Sequence, residues 1–308
     1  MHRTIEASIP CSNTDAITKD LLQNPSVVGL NVIKNSSLKP PGDTILIHVL
    51  NRGADDVLRC ICTHVPNNAF SIITTEIASI SDPKNQTKID NDIDEAIWEE
   101  METGLRHNGK LTLNYLILMG IGGIIAAIGL ISPTHHQVIA FVAASIIAPG
   151  LEPLAKLPLG IVLKNWNVTW VGLKSAVIGY IVLAISAGVI FKVLLILGEV
   201  QMSDFQLNAA TESLRHLKPT NLIVSLAAAT ASILMYLAYR KNVIAGPLVA
   251  LIMIPAAAAI GMSLATAEWE YAAQISKVFA ADVVMIVTVG LILIFSKQKF
   301  VHKRKPLR

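Results

Sequence analysis

The chain has 308 residues, of which 53% are hydrophobic and only 15% charged, with a mean hydropathy of +0.55. Soluble domains average about 25% charged residues, which excludes an ordinary soluble protein. The net charge of +3 sits largely in the tail SKQKFVHKRKPLR, so no nucleic-acid partner is expected.

The depletion is uneven. Residues 1–110 carry ordinary charge and turn residues, whereas 111–296 hold several apolar runs of the roughly 20 residues that cross a bilayer. The expected organisation is a cytoplasmic domain over 1–80, a linker with an amphipathic helix over 81–110, a membrane domain over 111–296 and a basic tail over 297–308. The opening MHRTIEASIPCSN has no apolar core of a leader, so no cleavable signal peptide is expected. Three cysteines (Cys11, Cys60, Cys62) fit a reducing compartment.

In chain order, HRTIEASIP alternates as a half-buried strand. NTDAITKDLLQNP starts on a cap signal and stops at Asn-Pro, as a helix does. SVVGLNVIK and DTILIHVLN read as strands joined by the turn SLKPPGD. GADDVLRCICTHV reads as a helix and AFSIITTEIASI as a last strand. The order βαββαβ predicts a ferredoxin-like α+β domain. Such a domain is suited to oligomerisation or to a small regulatory ligand, and a homo-oligomer is expected. Cys60, Cys62 and His64 invite a metal reading, but residues two apart point to different helix faces, so neither metal nor cofactor is expected. SDPKNQTKIDNDID reads as a polar linker, and EAIWEEMETGLRH as a surface helix with Trp98 near the membrane interface.

Six spans follow: Leu111–Ile131, Gln137–Leu163, Trp170–Leu197, Asn221–Leu237, Val243–Thr266 and Tyr271–Ser296. Lys and Arg gather at Arg106/Lys110, Lys164, Arg240/Lys241 and the tail, predicting both termini in the cytoplasm. The halves resemble each other: Val138-Ile139-Ala140 recurs as Val243-Ile244-Ala245, Pro149 as Pro255, Trp166 as Trp269, and Lys174 as Lys277. A repeat of three spans must insert its second copy upside down, predicting a 3+3 inverted repeat of the kind found in secondary transporters.

Proline in a helix interior costs about 3 kcal/mol through its missing donor and a clash, and freed backbone in hydrocarbon needs protein partners. Ala148, Pro149, Gly150 and Pro153 in the second span, with Gly246, Pro247 and Pro255 in the fifth, are therefore expected to break their helices. Charges inside spans cost about 2.5–3.5 kcal/mol on insertion scales and face the bundle interior. Glu152 and Lys156, four apart, share one helical face. Asp282 lies about eleven residues, or about 16 Å, into the last span. These three are the candidate pathway residues.

AASIIAPGLEPL, residues 143–154, resembles the signature GAMLIAPLMGPI of a large prokaryotic family of hydrophobic proteins, domain of unknown function 389. IMIPAAAAIGMSLA, residues 252–265, is similar to that family's LVPPLAAAGIALA element. The chain departs at Glu152, where glycine is usual, at Ala256 in place of a second proline, and at Asp282 in place of asparagine. The resemblance implies a multi-pass protein of the prokaryotic inner membrane and supplies no reaction. No enzymatic activity is expected. A transporter or channel for a small solute or ion is expected, the alternative being a membrane-anchored ligand sensor or scaffold.

Overall fold

The computed structural model describes residues 2–65, 69–77, 79–92, 97–98, 101, 110–238 and 245–301, with 245–249 described by backbone alone. The chain is mostly helical, with one small sheet. It divides into two compact units, Met1–Met101 with Ser296–Arg308, and Glu102–Phe295.

In the first unit the elements run β1 (Arg3–Ile9), α1 (Thr14–Leu22), β2 (Val27–Leu38), β3 (Pro41–Val49), α2 (Ala54–His64) and β4 (Ser71–Glu76). The strands pair antiparallel in the order β2-β3-β1-β4, with Ile5 facing Ile47 on one side and Thr74 on the other. Alternation sends Ile5, Ala7 and Ile9 of β1 and Ile45, Ile47 and Val49 of β3 to one face. There they pack with Ile17 and Leu21 of α1 and Val57 and Ile61 of α2. Asp55 and Asp56 open α2, where carboxylates favour the helix N-terminus.

The hairpin differs from the expected one. β2 runs on to Leu38 and β3 starts at Pro41, so most of SLKPPGD is strand. Proline is tolerated as a first strand residue. Buried Asp43 organises the irregular stretch: Oδ1 accepts the Asn35 amide at 2.8 Å and the Cys11 thiol at 3.2 Å, and Oδ2 accepts the Thr14 hydroxyl at 2.7 Å. The Asn35 amide and Thr14 hydroxyl hold Asp43 below the usual carboxylate range.

The expected polar linker carries a short helix, α3 (Gln86–Asp90), with Ile89 buried. Beyond it Asp92 accepts the Asn51 amide at 2.5 Å and lies 3.2 Å from both Arg52 Nε and the His2 ring. Most of EAIWEEMETGLRH lies outside the described residues. Trp98, expected near the membrane interface, is fully buried, with Lys297 Nζ 5.6 Å from its ring centroid.

The second unit contains α4 (Leu113–Ile131), α5 (Thr134–Ile147), α6 (Leu151–Val162), α7 (Trp166–Leu197), α8 (Met202–Gln206), α9 (Ala209–Arg215), α10 (Pro219–Leu237), α11 (Ala245–Ala265) and α12 (Trp269–Phe300), of which α12 contributes up to Phe295. Each of α4, α7, α10 and α12 is long and apolar enough to cross a membrane. Together α5 and α6 meet the same test, bent by 48° at their junction, and α11 is apolar over Ala250–Ala265. Large apolar side chains such as Ile121, Ile124, Ile128, Ile181, Ile185 and Val189 remain exposed on these helices. Soluble proteins rarely expose continuous apolar patches of this size. These helices mark a membrane protein.

α7 packs against α4, α6 and α11, and glycines let the backbones approach. A Cβ at Gly172 would lie 2.6 Å from Lys156 Cβ and 2.7 Å from the Pro153 carbonyl, and one at Gly188 would lie 2.5 Å from the Gly261 carbonyl. Gly198 ends α7 in the left-handed region, at φ 74°, its amide bonding Leu195 O. The segment 199–220, expected as a loop, carries α8 and α9. It is tied down by Gln137 Nε2 on Asn208 Oδ1 at 2.8 Å, and by Arg215 Nε on Gln274 Oε1 at 2.7 Å.

Candidate functional site

The break in the second apolar segment falls where two prolines, Pro149 and Pro153, and Gly150 crowd together. α5 ends at Ile147, Ala148 turns to extended backbone, and α6 restarts at Leu151. Ala148 N still bonds Ala144 O at 2.9 Å, and Gly150 N turns back onto Ala148 O at 2.8 Å. The Gly150 carbonyl receives the Tyr180 hydroxyl from α7 at 3.1 Å. Thus the freed backbone is partnered from inside the protein, as hydrocarbon demands. Pro153 falls in the first turn of α6, where its missing N–H has no intrahelical partner to lose.

The fifth segment does not match this. α11 runs unbroken from Ala245 to Ala265 with Pro255 inside it, and Gly246-Pro247 fall in its first turn. Ala256 to Ala259 follow Pro255, and alanine is the best helix former. One lone proline surrounded by such residues removes a single donor, whereas Pro149, Gly150 and Pro153 act together. Of the seven residues expected to break helices, only Ala148, Pro149 and Gly150 lie at a break. Val243-Ile244 of the proposed repeat lie outside the described residues.

Glu152 opens α6, and its Oε2 is buried with no hydrogen-bond partner among the described residues. Its carboxyl interacts with the Tyr236 hydroxyl of α10 and lies in the electrostatic field of Lys156, Tyr115 and Tyr180. Lys156 is 1% exposed, and its Nζ likewise has no hydrogen-bond partner. The pair shares a face without closing an ion pair, and both side chains sit in an aromatic and apolar setting. The tyrosines around them were not singled out from sequence. Their signal was a hydroxyl-bearing aromatic within an otherwise apolar span.

Asp282, 4% exposed, stands elsewhere. It lines a pocket of about 240 Å³ with Ser225, Asn221, Pro255, Phe141 and Val278, and the Ser225 hydroxyl faces its carboxyl. At about 30 Å³ per water, this volume suits a few waters or a small solute. Neither Glu152 nor Lys156 lines it. On α10, Ser225 beside Asp282 and Tyr236 beside Glu152 are eleven residues apart, or about 16 Å. The expected charge constellation is therefore two clusters rather than one. Pro255 does reach the Asp282 pocket, as a wall and not as a break.

A larger groove of about 720 Å³ runs along α7, α11 and α12, walled by Leu157, Tyr180, Ile185, Val189, Ile260 and Phe279, with Lys192 contributing its amine-bearing chain. Its nearly all-apolar wall offers no ligand set to an ion, so the smaller pocket is the better candidate site.

The segment carrying both clusters is also the segment with recognisable kinship. Residues 145–288 match the family Domain of unknown function (DUF389). The DUF389 match begins within AASIIAPGLEPL, the stretch whose resemblance pointed to it, and extends past Asp282. It leaves the sheet-bearing unit outside. No curated protein and no solved structure matches the chain.

Proposed function

We propose that this protein is a non-enzymatic transporter or channel of the prokaryotic inner membrane, carrying a small solute or ion. Asp282 carries the reading: a carboxylate 4% exposed lines a mainly apolar pocket in which Ser225 and Asn221 stand beside it, and such a group is by default a functional candidate. The pocket around Asp282 and the Glu152–Lys156 cluster are two stations on one route, separated along α10 by about 16 Å. An ionised Asp282 favours a cation or a proton as the passing charge. The 48° break between α5 and α6 brings polar backbone beside the Glu152–Lys156 station.

The architecture we infer has six spans, with α5 and α6 counted as one, arranged as a 3+3 inverted repeat with both termini cytoplasmic. Helix lengths support it: α4 and α10 have 19 residues each, and α7 and α12 have 32 each. The N-terminal unit is ferredoxin-like on the strength of its strand order β2-β3-β1-β4, and serves to gate or to assemble a homo-oligomer. The competing reading is a membrane-anchored sensor without a pathway.

Flux into proteoliposomes, screened over monovalent and divalent cations, protons and small anions, tests the proposal. Wild type should pass at least one of these and Asp282→Asn should lose that flux. Equal flux from Asp282→Asn and wild type would remove Asp282 from the pathway. Silence of the wild type across the screen would favour the sensor.

A further inference from the structure

Three metal-ligating side chains meet at the ends of two helices in the first unit. Asp20 lies in the last turn of α1, and Cys60 and His64 lie on one face of α2, four residues apart. One ligand atom from each falls within 4.8 Å of the other two. This is not the Cys60–Cys62–His64 grouping that the sequence invites, since Cys62 is not part of the cluster.

The histidine supplies the chemical argument. Its Nδ1 lies 2.9 Å from the Cys60 carbonyl oxygen, which can only accept, so Nδ1 carries a proton. In the neutral ring, Nε2 then presents a lone pair, and Asp20 Oδ2 faces it at 3.2 Å. Two acceptors at that distance need either a proton or a metal ion between them. An imidazole oriented through Nδ1–H on a backbone carbonyl is the usual outer-shell arrangement of a metal-bound histidine. Asn13 Nδ2 holds the His64 carbonyl at 2.7 Å, pinning the end of α2 to the start of α1. The Cys60 sulfur stands 3.9 Å from His64 Nδ1.

We propose that the N-terminal unit binds a divalent transition-metal ion of the zinc class through the Asp20 carboxylate, the Cys60 thiolate and His64 Nε2, with a fourth position left to water. Metal–ligand bonds of about 2.0–2.3 Å place tetrahedral ligands about 3.3–3.6 Å apart, so ligand atoms lying within 4.8 Å of one another must draw in by up to about 1.2–1.5 Å. Mixed sulfur, imidazole and carboxylate ligands suit zinc better than magnesium or calcium, which take all-oxygen shells. Binding releases the thiol proton to solvent as the Cys60 sulfur–metal bond forms. It would tie the end of α1 to the end of α2, a natural place for a cytoplasmic unit to register metal supply. This holds whether or not the membrane unit has a pathway.

Cobalt(II) titrated into the full-length protein in detergent tests the site. We expect one ion per chain, a near-ultraviolet thiolate-to-cobalt charge-transfer band, and displacement of that band by zinc. Cys60→Ser should abolish the band. Asp20→Asn and His64→Gln should each weaken binding at least tenfold, with unchanged circular dichroism. Cys11→Ser and Cys62→Ser should keep it. A wild type without the band means that a proton alone bridges Asp20 and His64, and overturns the proposal. So does a band surviving in Cys60→Ser, or wild-type affinity in His64→Gln.

Discussion

The hydroxyl of Tyr180 donates to the carbonyl oxygen of Gly150 over 3.1 Å, joining the middle of α7 to the point where the second apolar segment gives way. The ring also meets Phe279 edge-on, with centroids 5.2 Å apart. Tyr180→Phe keeps the ring contact and removes the donor, leaving a buried carbonyl without its partner. The expected loss is about 1–3 kcal/mol, read as a lower thermal midpoint in detergent. An unchanged midpoint would mean that water takes over at Gly150.

Lys156→Met should leave the fold as stable as wild type or more so. A buried ammonium with no hydrogen-bond partner pays desolvation that methionine avoids at similar length. If Lys156 belongs to the pathway, the same variant loses flux, so stability and activity part company. A marked fall in thermal midpoint would show instead that Lys156 stabilises Glu152 structurally.

Gly172→Leu should push α7 away from α6, because the new side chain begins 2.6 Å from Lys156 Cβ and 2.7 Å from the Pro153 carbonyl. Overpacking of this kind costs about 1–3 kcal/mol or more. Gly120→Leu provides the control, since a Cβ there meets nothing nearer than 3.8 Å. Equal detergent stability of the two variants would contradict the close crossing.

Acid should loosen the β2–β3 hairpin before it unfolds the rest of the first unit. The folded state lowers the Asp43 pKa through the Asn35 amide and the Thr14 hydroxyl. The stabilisation is therefore complete above the unfolded value near 3.9 and is lost as pH falls through the lower, folded value. Hydrogen exchange on the full chain, corrected for the intrinsic pH dependence of amide exchange, should show protection at the Asn35 amide falling as pH drops below about 4, and low at all pH values in Asp43→Ala. Protection at Asn35 that does not change with pH would refute the assignment.

Much of the helical part was legible because long apolar runs have few alternatives. Leu111–Ile131 became α4 from Leu113, and Asn221–Leu237 became α10 from Pro219. The Pro149–Gly150 break was legible because several helix-breaking residues coincide there. Pro255 misled because one proline weighs little against four following alanines. α8 and α9 went unread because they are short; their signals were Gln201 with Asp204 as a capping box and Asn208 as an N-cap. Separation of Asp282 from Glu152 could not be read at all, since it depends on which end of α10 each charge meets. Likewise the Asp20–His64 contact joins residues 44 positions apart, a tertiary fact without local pattern.

α7, at 32 residues, is about 48 Å long, half again the thickness of a hydrocarbon core of about 30 Å. Such a rod must lean or protrude, and how far it leans follows the lipid around it. Because α7 also carries Tyr180 to the Gly150 carbonyl and Gly172 to the flank of Lys156, a thinner or thicker bilayer would tug on both contacts. Membrane thickness thus becomes an input to the protein's interior, through a single oversized helix.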